Sequence, residues 1–157
     1  MSELQTGQQA PEFTLPASTG GEISLADFRG QQQVVLYFYP KDMTPGCTVE
    51  ACSFRDTQAD FAEAGAAILG VSADDLDSHA KFTEKHELNF PLLSDAGGQV
   101  AQTYGVWKEK GTGDQTHMGM ERTTFLIDKE GVIRRIWPQV KVDEHAEEVL
   151  AAVRELG

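Results

Sequence analysis

Six consecutive residues, Val34-Val35-Leu36-Tyr37-Phe38-Tyr39, constrain this chain more than any other feature. The run is apolar and β-rich, with no polar residue alternating through it. Such a run suits a strand buried on both faces, at the centre of a sheet that carries layers on either side. The next seven residues, Pro40 to Gly46 (PKDMTPG), read as a loop by their proline and glycine content. From Cys47 to about Ala64 the pattern is helical, with Ala51, Phe54, Phe61 and Ala62 on one apolar face. The order is therefore a central strand, a loop, and a helix that opens at a cysteine. The C-terminal edge of such a strand is where α/β folds place their sites.

The rest of the chain alternates in the same way. Ala66 to Ser72 reads as a second buried strand. Asp74 or Asp75 caps a helix through about Glu87, with Leu76, Ala80 and Thr83 on one side. Residues 98–104 make a short helix. Thr123 to Asp128 and Val132 to Trp137 are strands, joined by the turn residues Asp128-Lys129-Glu130-Gly131. Pro138 stops the second of them. Asp143 caps a last helix whose Ala146, Val149, Leu150 and Val153 point inward. Glu12 to Leu15 and Glu22 to Leu25 form a small N-terminal hairpin. The sum is an α/β chain: a mixed central sheet flanked by helices on both faces. No repeat, low-complexity tract or linker divides it. At 157 residues, 40% of them hydrophobic, residues 1–157 are read as one domain around one ordinary core.

Charge narrows the partners. Lys and Arg total 13 against 25 Asp and Glu, a formal net charge of −12. A nucleic-acid binder needs a basic face, and an anionic membrane attracts one, so both partners are disfavoured. No apolar run approaches the ~20 residues of a membrane span. The polar start MSELQTGQQAPEF lacks the features of a secretory signal. Two cysteines do not make a disulfide framework, and a reducing, cytoplasmic compartment is expected. Those cysteines then call for an explanation by chemistry or by packing.

The chemistry points to Cys47. The first turn of a helix offers unpaired N–H groups and a partial positive charge, which favour a thiolate. Pro45 and Gly46 let the chain turn tightly before it, and Thr44 places a hydroxyl three residues upstream. The segment YFYPKDMTPGCTVEACSFRD (37–56) resembles the active site of the peroxiredoxins, with their Pro-x3-Thr-x2-Cys pattern at Pro40, Thr44 and Cys47. CTVEAC followed by FRD is similar to the bacterioferritin-comigratory, or Q-type, subfamily. So are LNFPLLSD (88–95), YGVWKEK (104–110) and MGMERTTFLID (118–128). The resemblance covers nearly the whole chain.

It implies a thioredoxin-like fold and a thiol peroxidase acting on hydrogen peroxide and organic hydroperoxides. On that pattern Cys47 is the peroxidatic nucleophile, which peroxide converts to sulfenic acid. Cys52 matches the resolving cysteine of the C-x4-C form, which condenses with the sulfenate to a disulfide. Thioredoxin or a similar dithiol protein then reduces that bond. No metal, haem or flavin is implied, and the subfamily suggests a monomer. Full ionisation of a free cysteine gains only roughly 30-fold in thiolate at neutral pH. Fast turnover therefore also needs donors aimed at the peroxide oxygens. Arg122 matches the family arginine, with fixed, permanently charged donors. Thr44 holds the peroxide by its hydroxyl, Pro40 shields the sulfur, and Glu50, one turn beyond Cys47, resembles the glutamate that orients the arginine. In an ideal helix, positions five apart lie ~8.6 Å from Cα to Cα. A disulfide spans no more than ~7 Å. Cys47 and Cys52 thus cannot bond until the first turns of the helix unwind.

Plainer readings stand beside these. Cys47 is also what a small buried hydrophobe looks like, and Cys52 is dispensable if an external thiol resolves the sulfenate. Arg122 could also be a salt-bridge residue heading a strand, Glu50 a charge near a helix start, and Thr44 loop chemistry. His79, His86, His117 and His145 have no metal-ligand spacing and read as solvent-facing. Gly111-Thr112-Gly113 is too little for a dinucleotide site. Gln115 and His117 stand where relatives often carry a lysine and an aromatic. Trp107 and Met120 are either core residues or an apolar collar for organic hydroperoxides. Two rival functions remain: a disulfide reductase, which lacks its usual C-x-x-C here, and a redox sensor that is oxidised once without turnover.

Overall fold

The structure, a computed structural model, describes residues 4–110, 117–142 and 144–156. In chain order its elements are β1 (Thr14–Pro16), β2 (Glu22–Ser24), β3 (Gln33–Phe38), α1 (Pro45–Glu63), β4 (Ala66–Ser72) and α2 (Leu76–His86). There follow β5 (Leu92–Ser94), α3 (Gln99–Thr103), β6 (Trp107–Lys110), β7 (His117–Met120), β8 (Thr123–Ile127), β9 (Ile133–Trp137) and α4 (His145–Leu156). The apolar run at 34–39 does become the middle of the main sheet, whose order is β5-β4-β3-β8-β9. Strands β4 and β5 run parallel to β3, while β8 is antiparallel to it and to β9. The sheet is therefore mixed, as expected, and β1 and β2 form the small antiparallel hairpin.

Every residue of β3 is buried, so its alternation feeds two cores. Val35, Tyr37 and Tyr39 face one, shared with Cys47 and Phe54 of α1, Phe82 of α2 and Val149 of α4. Val34, Leu36 and Phe38 face the other, with Leu15, Tyr104 and Phe125. The close packing shows at Gly70 in β4. A Cβ there would lie 2.9 Å from both Leu92 and the Tyr37 ring.

The register of β3 on β8 decides what meets at the sheet's edge. Phe38 pairs with Thr123, so the chain leaving β3 toward Pro40 runs beside the chain arriving at β8 through Arg122. Residues some 75 positions apart in sequence are thereby brought to one point.

Several expectations need correction. Helix α1 begins at Pro45 with Thr44 as its N-cap residue, so Cys47 is its third residue rather than its first. Proline is at home in that first position, where its missing N–H is not needed. Ala62 is exposed; the buried face is Cys47, Glu50, Ala51, Phe54 and Phe61. Asp75 caps α2 by accepting a hydrogen bond from the Ser78 N–H. The buried face of that helix is His79 and Phe82, whereas Leu76 and Ala80 are exposed. Hydrophobicity misleads there because His79, polar by type, is buried where Asp42 lies within hydrogen-bond distance of its ring. His79 and His145 are buried and His86 is half-buried, not solvent-facing. Strands β5, β6 and β7 were not anticipated; at three or four residues each they are too short for a periodic signal. Asp143, Gly111-Thr112-Gly113, Gln115 and the side chain of His117 lie outside the described residues.

Candidate active site

The site forms where loop 39–44, the start of α1 and the residue before β8 converge. Cys47 is 1% exposed and, like Cys52, is a free thiol. As the third residue of α1 it keeps a backbone N–H that no carbonyl of its own helix can accept. Arg122 reaches it across the β3–β8 pairing. One terminal nitrogen, Nη2, donates to Cys47 Sγ at 3.3 Å, and the other, Nη1, donates to Glu50 Oε1 at 2.7 Å. The guanidinium fork is thus spread over two neighbours one helical turn apart, which fixes both its position and its plane.

Glycine at 46 is part of that fit. A Cβ there would stand 3.1 Å from Arg122 Nη2. The Arg122 charge is opposed by burial, but Glu50 and Cys47 more than offset this and hold its pKa above the ordinary arginine value. Glu50 is 1% exposed. Burial pushes its carboxyl up to about 7, against the pull of Arg122. Its second oxygen, Oε2, and the Tyr37 hydroxyl are buried without a hydrogen-bond partner among the described residues. Burial, then Glu50 and Cys47, raise Tyr37 well above the usual tyrosine value, so its phenol stays protonated.

Thr44 and Pro40 are half-buried beside the sulfur in sequence. The Thr44 hydroxyl donates to the Lys41 carbonyl at 2.8 Å, leaving its oxygen lone pairs to accept. Loop residue Met43 adopts φ +68°, a left-handed conformation that is rare outside glycine. Cys52 is half-buried further along the same continuous helix.

All six anticipated residues therefore fall on this loop, this helix or its arginine partner. Trp107 and Met120 do not form a collar around Cys47. They pair across β6 and β7 and pack into the core on the other face of the sheet, with the Trp107 ring lying over Gly98. Sequence reasoning missed Asp42, a buried residue of the loop, and His79 of α2, which meets it from beneath. Asp42 was hidden among turn-forming residues, and a histidine carries no mark of burial in sequence. Among the described residues no cluster of three His, Cys, Asp or Glu side chains could hold a metal, and no helix is long and apolar enough to cross a membrane.

Comparison with known proteins fits this arrangement. The AhpC/TSA family model matches residues 6–136. Peroxiredoxin Bcp of Bacillus subtilis is 48% identical over 154 residues, covering 98% of both chains. A PrxQ structure from Xylella fastidiosa superposes with a TM-score of 0.92 at 38% identity, covering 99% of both chains. The bacterioferritin comigratory protein of Xanthomonas campestris, studied for its alkyl peroxide reduction activity, gives a TM-score of 0.87 at 40% identity, covering 92% of this chain and 91% of that one. The mixed sheet, the buried thiol beside Arg122 at the start of α1 and these relatives together define a thioredoxin-fold thiol peroxidase. The chain belongs to the AhpC/TSA family and, within it, to the Bcp/PrxQ peroxiredoxins.

Proposed function

We propose that Cys47 carries the peroxidase chemistry and that Cys52 resolves it. The observation that carries this reading is the contact of Arg122 Nη2 with Cys47 Sγ, held in place by the second arm of the fork on Glu50. A fixed cation beside a buried sulfur suits a thiolate. It also suits the negative charge that appears on the leaving oxygen as the O–O bond stretches. In the first step the thiolate sulfur of Cys47 attacks the nearer peroxide oxygen. A new S–O bond forms, the O–O bond breaks, and the departing oxide takes up a proton as water or alcohol. The sulfur is oxidised by two electrons to sulfenic acid. The Thr44 oxygen accepts the hydrogen bond of the bound hydroperoxide, the Cys47 N–H and Arg122 donate, and Pro40 keeps water from the sulfur.

In the second step the sulfur of Cys52 attacks Cys47, an S–S bond forms and water leaves. Both cysteines lie on one helix, so a single copy of the chain supplies the whole cycle, consistent with a monomer and with one domain over residues 1–157. While α1 is intact their Cα atoms are ~8.6 Å apart, too far to bridge. The first turns of α1 must therefore unwind before the disulfide closes. A thioredoxin-type dithiol then returns both sulfurs to thiols by two exchange steps. The acidic chain and its two thiols fit a reducing, cytoplasmic setting.

Rapid mixing of reduced protein with hydrogen peroxide or an organic hydroperoxide tests the assignment. Turnover with thioredoxin should vanish in Cys47→Ser. Cys52→Ser should keep the first oxidation and lose recycling through the intramolecular disulfide. Loss of that first oxidation in Cys52→Ser would reverse the roles.

A further inference from the structure

Beneath the catalytic loop lies a buried polar cluster that the peroxide chemistry does not use. Asp42, in the middle of the loop, is 4% exposed. Its Oδ1 accepts from the Tyr39 hydroxyl at 2.6 Å, and its Oδ2 accepts from the Ser78 hydroxyl at 2.8 Å. The same Oδ2 lies 2.6 Å from Nδ1 of His79, a residue of α2 that is fully buried. The backbone is held as well. The Asp42 N–H donates to Asp74 Oδ2 at 2.7 Å, and the Ser72 hydroxyl donates to that oxygen at 2.8 Å.

The partners of the two ring nitrogens fix how many protons this pair holds. Nε2 of His79 is 2.9 Å from the Leu93 carbonyl oxygen, which can only accept, so Nε2 carries a proton. Nδ1 faces a carboxylate oxygen, and two bare acceptors do not sit 2.6 Å apart, so a second proton lies between them. Asp42 also accepts from Tyr39 and Ser78, which suits a carboxylate, so the unit is read as a buried imidazolium–carboxylate pair. Burial works against the histidine charge, but Asp42, the Leu93 carbonyl and Asp74 outweigh it and raise the His79 pKa.

We propose that the Asp42–His79 pair is a latch that holds loop 40–44 against α2, and that its release is the gate for the unwinding that lets Cys47 reach Cys52. The Thr44–Lys41 hydrogen bond is not the loop's whole support: Met43 sits at φ +68°, a conformation that is costly for a residue with a side chain and persists where surrounding structure holds it. It is also the anchor of α1, since the Thr44 carbonyl accepts the Thr48 N–H at 2.8 Å. Unwinding residues 47–52 pulls on that anchor and hence on Asp42. With the latch closed, Pro40 and Thr44 stand in place for peroxide. With it open, the helix start is free. Asp42 and His79 touch neither peroxide nor sulfur; they are positioning residues that set the balance between two steps. The inference rests on the Cys47 and Cys52 roles proposed above.

The test separates those steps in single turnover, with peroxide consumption and disulfide formation followed independently in His79→Gln and Ser78→Ala. His79→Gln keeps a single donating nitrogen and removes both the positive charge and the second donating nitrogen of the imidazolium. Ser78→Ala removes a single bond to Asp42 and spares the N-cap bond of α2. In His79→Gln disulfide formation should accelerate about ten-fold, the scale of losing one charge-assisted hydrogen bond. Its peroxide step should be unchanged or slower. Ser78→Ala should shift the same way by a smaller factor. A structural role alone slows both steps together or moves neither, and that outcome overturns the latch. Should His79→Gln not fold, an unshifted Ser78→Ala overturns it equally. Wild-type protein run alongside distinguishes the two layers: no wild-type peroxide reaction overturns the site assignment, whereas a normal one with unshifted variants overturns the latch alone.

Discussion

Arg122 has a task that few side chains can perform. It must hold a charge beside Cys47 in a buried place, with its donors spread in one plane over Glu50 and the sulfur. The adjoining Gly46 leaves just enough room for it. Replacement by alanine favours helix α1 by intrinsic propensity, by roughly 0.5–1 kcal/mol. It also sets a Cβ 3.1 Å from Nη2. Gly46→Ala should therefore fold at least as well as the wild type while its peroxide reaction slows by about ten-fold or more, the cost of a misplaced donor. Thermal unfolding measured beside stopped-flow oxidation checks both halves. A variant that reacts at the wild-type rate would show that the guanidinium tolerates displacement. The sequence marks Gly46 only as a turn residue before Cys47, because the atom that crowds it comes from residue 122.

At the scale of elements, α1 has two incompatible duties. Intact, it presents Cys47 at its first turn with Arg122 and Glu50 in register; unwound, it lets Cys47 meet Cys52. The buried residues of its first two turns, Cys47, Glu50 and Ala51, are small or polar, whereas the large Phe54 and Phe61 root the remainder. Local opening is drawn from such weakly packed ends. Amide exchange across residues 47–55 should rise in the disulfide form relative to the dithiol form, while β3 and the later turns of α1 stay protected. Equal protection of 47–55 in both forms would mean that the helix does not open and that the two sulfurs do not bond within one chain.

For the molecule as a whole, Glu50 links the site to stability. Its carboxyl titrates near 7 in the folded protein, against an ordinary value of 4.5, because burial outweighs its attraction to Arg122. The folded state therefore binds this proton more tightly than the unfolded chain. The contribution is full below about pH 4.5 and is lost as pH rises toward about 7. Glu50→Gln should flatten the fall in stability across that window, as measured by denaturant unfolding at several pH values. An unaltered slope would place the linkage elsewhere. The fold thus holds a carboxylate at a cost in order to steer an arginine.

Much of this was legible in the chain. An unbroken apolar run at 34–39, rich in β-branched and aromatic residues, suits a central strand buried on both faces, and the proline and glycine that follow break it. From there the loop, the helix and the cysteine near its start follow by local stereochemistry. Separated sequence blocks agree on a single family. What local pattern cannot carry is any relation that depends on register. Arg122 meets Cys47 because Phe38 pairs with Thr123, and a shift of one residue would turn it to the opposite face. His79 meets Asp42 because α2 packs a histidine, rather than Leu76, against the sheet. Whether a polar side chain is buried depends on the partner that awaits it, and that partner is supplied by tertiary structure.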